Sequence, residues 1–224
     1  MKKAIFLLLL ISAGQLFAQD AKYKSAMEKF VGALDTTSDE AGFTKLGNNF
    51  ERVSMANPTE WLPLYYQSFC TIMVGVQQKD NLKKDEYFDK AEVLINKADS
   101  LSPNNSEIYV VKSFVNSMKI SVDPMNRGQK LGMQSAMLTG KALQLNPDNP
   151  RALFLRGSGL MYTPAQYGGG VDKAIPVLED AVAKFKAMKY ADNIVPHWGQ
   201  KQAEDMLDNC KKQMAGENKT EEKK

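Results

Sequence analysis

Few residues in this sequence could do chemistry, and their spacing gives each little to work with. His197 is the only histidine, next to Trp198 in NIVPHWGQ. A nucleophilic triad needs a base held against a nucleophile, and a metal site needs several ligands. No such motif accompanies His197, so a packing role before the last helix is expected, with Trp198 capping the edge of the molecule. Cys70 and Cys210 fall in two predicted helices far apart in sequence. A disulfide needs Cα atoms within about 7 Å of each other, so buried free thiols are expected. The densest local signal is TPAQYGGGVDKAI, where Gly168, Gly169 and Gly170 lead into a helix N-terminus. Free N–H groups there can receive an anion, and the same glycines suit a tight turn. No Gly-Lys-Ser/Thr and no strand context follows, so this is not a phosphate-binding loop or dinucleotide fingerprint. With no acid–base pair, metal spacing or nucleophile elbow, no catalytic residue, metal or cofactor is expected, and the chain reads as a binding protein, not an enzyme.

The elements that must position these residues are helices. Proline returns at Pro58, Pro103 and Pro147, spacings of 45 and 44 residues, each time closing an apolar stretch. Self-similarity at a fixed period of this size marks stacked units that bury their apolar faces against neighbours. Ten residues after each proline stands a small residue, Ser68, Ser113 or Gly157. Six after stands a large one, Leu64, Tyr109 or Leu153. Five before stand Val53, Ala98 and Ala142, and twelve before stand Leu46, Ala91 and Ser135. Helices are expected near 21–34, 38–55, 60–77, 84–100, 106–121, 128–145, 151–162, 171–186 and 200–214, with Asp39, Asp85 and Ser106 as N-caps.

This pattern resembles the tetratricopeptide repeat (TPR), a helix pair in which small residues let helices A and B approach and a proline ends helix B. It covers roughly Phe43 to Phe185. A fourth helix B signature, Ala174, Leu178 and Ala181, has Lys186 in place of the closing proline and ends the array. The resemblance implies an all-α, right-handed TPR-like solenoid of antiparallel helix pairs with a C-terminal capping helix. The organisation reads as a signal peptide (1–18), an N-terminal helical pair (19–56), repeats (57–187), a C-terminal loop and capping helix (188–215) and a disordered tail (216–224). Helix A would line a concave groove through the positions four, seven, eleven and fourteen after each proline. These include Tyr65, Phe69, Glu107, Phe114, Arg151, Phe154 and Ser158 as partner contacts. The period exceeds the family's usual length, and the surplus is expected in extended helices and in three A–B connections, QQKDNLKKDE, SVDPMNRGQK and TPAQYGGGV. Their edge would offer Arg127, Tyr167 and Gly168–Gly170 as a second surface. The glycine turn also looks like those of exported bacterial tetratricopeptide proteins.

Lys2 and Lys3 precede an apolar run from Ala4 to Ala13, and small Ala18 follows at a plausible cleavage point. This reads as a secretory signal, so the mature chain should be periplasmic or secreted; the run is too short to span a bilayer. Without the two lysines there remain 27 basic against 26 acidic residues. No basic cluster interleaved with aromatics supports nucleic-acid binding. Two kinds of partner fit: a protein or peptide in the concave groove, or a small ligand near the A–B loops, as in helical accessory proteins of some bacterial uptake systems.

Overall fold

Short polar side chains decide where the helices begin. In the computed structural model, which describes residues 20–190 and 192–221, Asp39 accepts from the Gly42 N–H at 2.8 Å and Asp80 from Lys83 at 3.0 Å. Asn105 accepts from Glu107 at 3.0 Å, Asp123 from Asn126 at 3.3 Å, and Asn149 from Arg151 and Ala152 at 3.0 and 3.2 Å. Each satisfies a backbone donor that the first helical turn leaves free. The helices are α1 (20–34), α2 (Glu40–Ala56), α3 (Trp61–Gln77), α4 (Asn81–Leu101), α5 (Ser106–Val122), α6 (Pro124–Leu145), α7 (Pro150–Tyr162), α8 (Val171–Ala187) and α9 (Gln200–Glu221). The C-caps Asn57, Ser102 and Asn146 directly precede the three repeat prolines.

The chain is an all-α, TPR-like right-handed solenoid. Helices α3, α5 and α7 serve as the A helices and α4, α6 and α8 as the B helices, and α9 packs on α8 and α7 as the C-terminal cap. The caps correct two expectations. Asp80, not Asp85, opens α4, and Asn105, not Ser106, opens α5. Because Asp80 and the Asp123–Pro124 step start α4 and α6 early, two of the three expected A–B connections are largely helix, and the surplus residues lengthen α4 and α6 to 21 and 22 residues. Only residues 163–170 form a real connection, with a short 3₁₀ turn at Ala165–Tyr167. The tail expected to lose structure at Gly216 continues α9 to Glu221, since its Glu and Lys residues are good helix formers. The expected signal peptide lies outside the described residues.

The small register positions do what their size allows. Ser68 Oγ donates to the Ala91 carbonyl at 2.8 Å, and Ser113 and Ser135 exchange hydroxyl-to-carbonyl bonds at 3.3 and 3.2 Å. Gly157 lies so close to α8 that a Cβ there would sit 2.7 Å from Leu178. Two apolar clusters result, one running from Met27 to Val115 and the other from Val110 to Cys210. Phe114 and Trp198 pack against both.

Cys70 belongs to the first cluster and Cys210 to the second; both are buried and unbonded. Burial pushes the Cys70 thiol up to about 12 and the Cys210 thiol up as well. Native protein at pH 8 is therefore expected to react with a thiol-specific reagent only after denaturant is added. Gly157→Val should destabilise by about 2 kcal/mol through overpacking. Gly159→Ala, which meets open space, should be neutral or stabilising. Urea denaturation of both variants checks this.

Candidate functional site

Three A helices meet at a buried ion pair. Glu107 and Arg151 each stand four residues after a repeat proline, 44 residues apart. Arg151 is only 1% exposed. Its Nε donates to Glu107 Oε2 and its Nη2 to Oε1, both at 2.8 Å. Asn149 Nδ2 donates to the same Oε1 at 2.8 Å and to Ser106 Oγ at 2.9 Å, and that hydroxyl donates to the Ala142 carbonyl at 2.9 Å. From α3, the Tyr65 hydroxyl donates to Glu107 Oε2 at 3.3 Å. Burial alone would lower the Arg151 pKa; the facing Glu107 carboxylate more than offsets this, and the net direction is up. Burial, reinforced by Glu107, holds the Tyr65 phenol well above its usual range, so it remains a donor. The guanidinium also lies over the Phe185 ring, 5.9 Å from its centroid.

The segment 192–199 closes this end of the concave face. The Trp198 indole N–H donates to the Tyr65 hydroxyl at 2.8 Å. Its ring lies 4.9 Å from Phe69 and 5.8 Å from Phe114, centroid to centroid, at interplanar angles of 32° and 26°. Tyr66 donates to the Ile194 carbonyl at 2.8 Å, and Lys24 of α1 pairs with Asp192 at 3.1 Å. His197 places Nε2 2.8 Å from Asp35 Oδ1 and Nδ1 3.2 Å from the Val195 carbonyl. Trp198 thus packs on Phe69 and Phe114 of the first two repeats as well as against the cluster of the last repeat and α9.

The residues expected to line an open groove are therefore brought together, and several are covered. Tyr65, Phe69, Arg151 and Phe154 are buried, with Arg151 beneath Gly199. Phe114 and Trp198 stay partly exposed side by side. Ser117, Ser158 and Met161, at other concave positions, and Met118, next to Ser117, are also partly exposed.

The glycines of the second expected surface are used in a turn. Gly168 has φ 83° and Gly170 φ 116°, while a Cβ on Gly169 would meet the Thr163 carbonyl oxygen at 2.1 Å, so the three glycines make a tight turn. The Gly169 and Gly170 N–H groups are used within that turn, bonding Pro164 and Leu160 carbonyls at 3.3 and 2.9 Å. Tyr167 projects into solvent at the turn. Arg127 makes a bidentate pair with Asp85, at 2.5 and 2.8 Å, that clamps α6 to α4. Arg127 holds the Asp85 carboxyl below its ordinary range.

No family model and no curated protein matches the sequence. Among solved structures, the HusA haemophore from Porphyromonas gingivalis superposes with a TM-score of 0.77 at 35% identity, over 85% of this chain and 94% of that one. The chain belongs to the HusA haemophore family. A thermophilic TPR protein from Thermus thermophilus also matches, at 15% identity and a TM-score of 0.45, over 77% of this chain and 84% of that one.

Within this HusA-family chain the ion pair is the most exacting part of the site. Removing one partner of a buried pair leaves an uncompensated charge, so Glu107→Ala should cost about 3–5 kcal/mol. Glu107→Leu combined with Arg151→Met should recover much of that loss, because no charge is then left buried. Denaturant unfolding of the single and double variants measures the difference.

Proposed function

We propose that this chain is an exported binding protein for a haem-type ligand, a flat apolar macrocycle held on the face formed by Trp198 and Phe114. The observation that carries the reading is the aromatic stack itself: two partly exposed rings, Phe114 and Trp198, with centroids 5.8 Å apart and planes 26° from parallel, and with Trp198 held by Phe69 and the Tyr65 hydroxyl. Flat rings favour offset stacking, and an apolar surface with a few polar groups is the usual make-up of a small-molecule site. Met118 and Met161 give the margin flexible, polarizable side chains that adapt to a ligand's outline. The kinship with a haemophore supports the ligand class.

Recognition is through the macrocycle's face and not through histidine ligation, because both ring nitrogens of His197 already have oxygen partners. An extended peptide along the A helices is disfavoured, since it would have to displace Trp198 from Phe69 and Phe114. Export fits the apolar N-terminal run with its two lysines, and no helix among the described residues is long and apolar enough to cross a membrane. The chain acts by holding its ligand, without a reaction.

Haem titrated into the mature protein is expected to shift its visible absorption band and quench Trp198 fluorescence. Phe114→Ala and Trp198→Ala should each weaken binding by about tenfold or more, as central aromatic contacts do. If Tyr167→Ala weakens binding instead and the two face variants bind like wild type, the site belongs to the loop edge. Absence of any binding would remove the reading altogether.

A further inference from the structure

We propose that the groove between α4 and α6, on the side of α5 away from Trp198, is a second binding site that takes an extended peptide segment, with one peptide group of that segment held between Asn96 and Asn116. Helices α4 and α5 run antiparallel here, and residues at i, i+4 and i+7 share a helix face. On α4 that stripe is Glu92, Asn96 and Asp99; on α5 it is Lys119, Asn116 and Lys112, met in reverse order. The outer rungs are closed: Lys119 Nζ pairs with Glu92 and Lys112 Nζ with Asp99, each at 2.5 Å. The middle rung is open. Among the described residues neither Asn96 nor Asn116 has a hydrogen-bond partner for its carboxamide, although Asn116 is only 8% exposed.

The equivalent positions of the other repeats, also thirteen residues after the repeat proline, need no partner. Thr71 donates to the Gln67 carbonyl of its own helix at 2.7 Å, and Leu160 is apolar. A buried amide that no protein group meets costs stability, and a groove of about 310 Å³ opens onto this one. Gln134, Met137 and Leu138 of α6 form its far wall.

The chemistry selects the occupant. Each carboxamide offers a donor and an acceptor side by side, the complement of the C=O and N–H of a peptide. A helical partner has used those groups in its own ladder, so the segment must be extended. Lys112 and Lys119 are already neutralised by Asp99 and Glu92, which disfavours an anion. Among the described residues no aromatic side chain lines the groove to stack on a sugar ring. Met137, 74% exposed, and Leu138 give an adaptable apolar wall for one side chain of the segment. Asn116 lies two residues from Phe114 and so faces the opposite side of α5; both sites can be filled at once.

The probe is acetyl-alanyl-leucyl-alanine methylamide, beside the same compound N-methylated at leucine and with methyl glucoside as a sugar control. Titrated into isotope-labelled protein, the first should saturably move the Asn116 side-chain amide resonances. N-methylation, which removes one donor, should weaken binding about fivefold, the scale of one hydrogen bond. Asn116→Leu, which supplies the residue type of the third repeat, and the surface variant Met137→Ser should each weaken the peptide by a similar factor. Equal binding of the N-methylated compound, or wild-type affinity in both variants, overturns the proposal. So does movement of those resonances by the glucoside and not by the peptide, which would assign the groove to a sugar. No saturable shift with either compound would mean a hydrated groove only, and overturns it as well.

Discussion

The buried pair of Glu107 and Arg151 is the constraint to which the rest of the concave face answers. A guanidinium that is 1% exposed is tolerable only with its charge met at hydrogen-bond distance, because desolvating an unpaired ion costs several kcal/mol. Both residues occupy the same register position in successive repeats, so the pair can close only if α5 and α7 stack at one offset. Asn149 ties that offset to the backbone: its Oδ1 caps α7 while its Nδ2 holds Glu107. One carboxylate thus links a helix cap, a neighbouring repeat and a phenol from the repeat before it.

That phenol extends the constraint beyond the repeats. Tyr65 accepts from Trp198 and donates to Glu107, so the indole is located by the same carboxylate that locates α7. Around it, Phe69 and Phe114 leave a slot that the indole fills, and Gly199, at φ 107°, turns the chain into α9 directly over Arg151 and Phe185. A side chain at Gly199 would be strained by that φ and would press on Phe185 at 3.0 Å. The segment is held along its length by backbone carbonyls, an ion pair and the indole, and the face it completes is organised before any ligand arrives. Preorganisation of this kind reduces the ordering cost that binding otherwise carries.

Much of the scaffold was legible because it repeats. Three prolines and three small residues at fixed offsets located the A–B contacts: Ser68–Ala91 and Ser113–Ser135 lie where that register places them, while Gly157 meets Leu178, one helical turn beyond Ala174. Asp80 and Asp85 are both short acids near the same boundary, and the fold separates them: Asp80 caps α4, while Asp85 pairs with Arg127, 42 residues away. Counting from the prolines selects the concave positions from Tyr65 to Ser158, of which the structure joins Tyr65, Glu107 and Arg151 by hydrogen bonds and Phe69 and Phe114 through Trp198. Their burial is not legible in that count. Whether Tyr65 lines a groove or a core depends on a contact with Trp198 across 133 residues, and the crossing segment 192–199 belongs to no repeat, so no periodicity announces it. The only local hint was composition: proline, histidine, tryptophan and glycine in succession are costly to leave in a bare connection.

An open concave groove is suited to extended partners, since a peptide can run the length of the A helices and meet a new side chain at each repeat. This chain has lost that option at one end by laying its own segment across the groove. What remains is short and flat: one exposed edge of an aromatic stack, bounded by the segment on one side and by α5 and α7 on the other. Closing the groove shifts recognition from length to shape, because a ligand that cannot extend must gain its affinity from area stacked on a rigid plane. On the function proposed above, a macrocycle meets that requirement and a peptide does not. The repeats then act mainly as a frame, carrying Glu107 and Arg151 into register so that Trp198 has one place to lie.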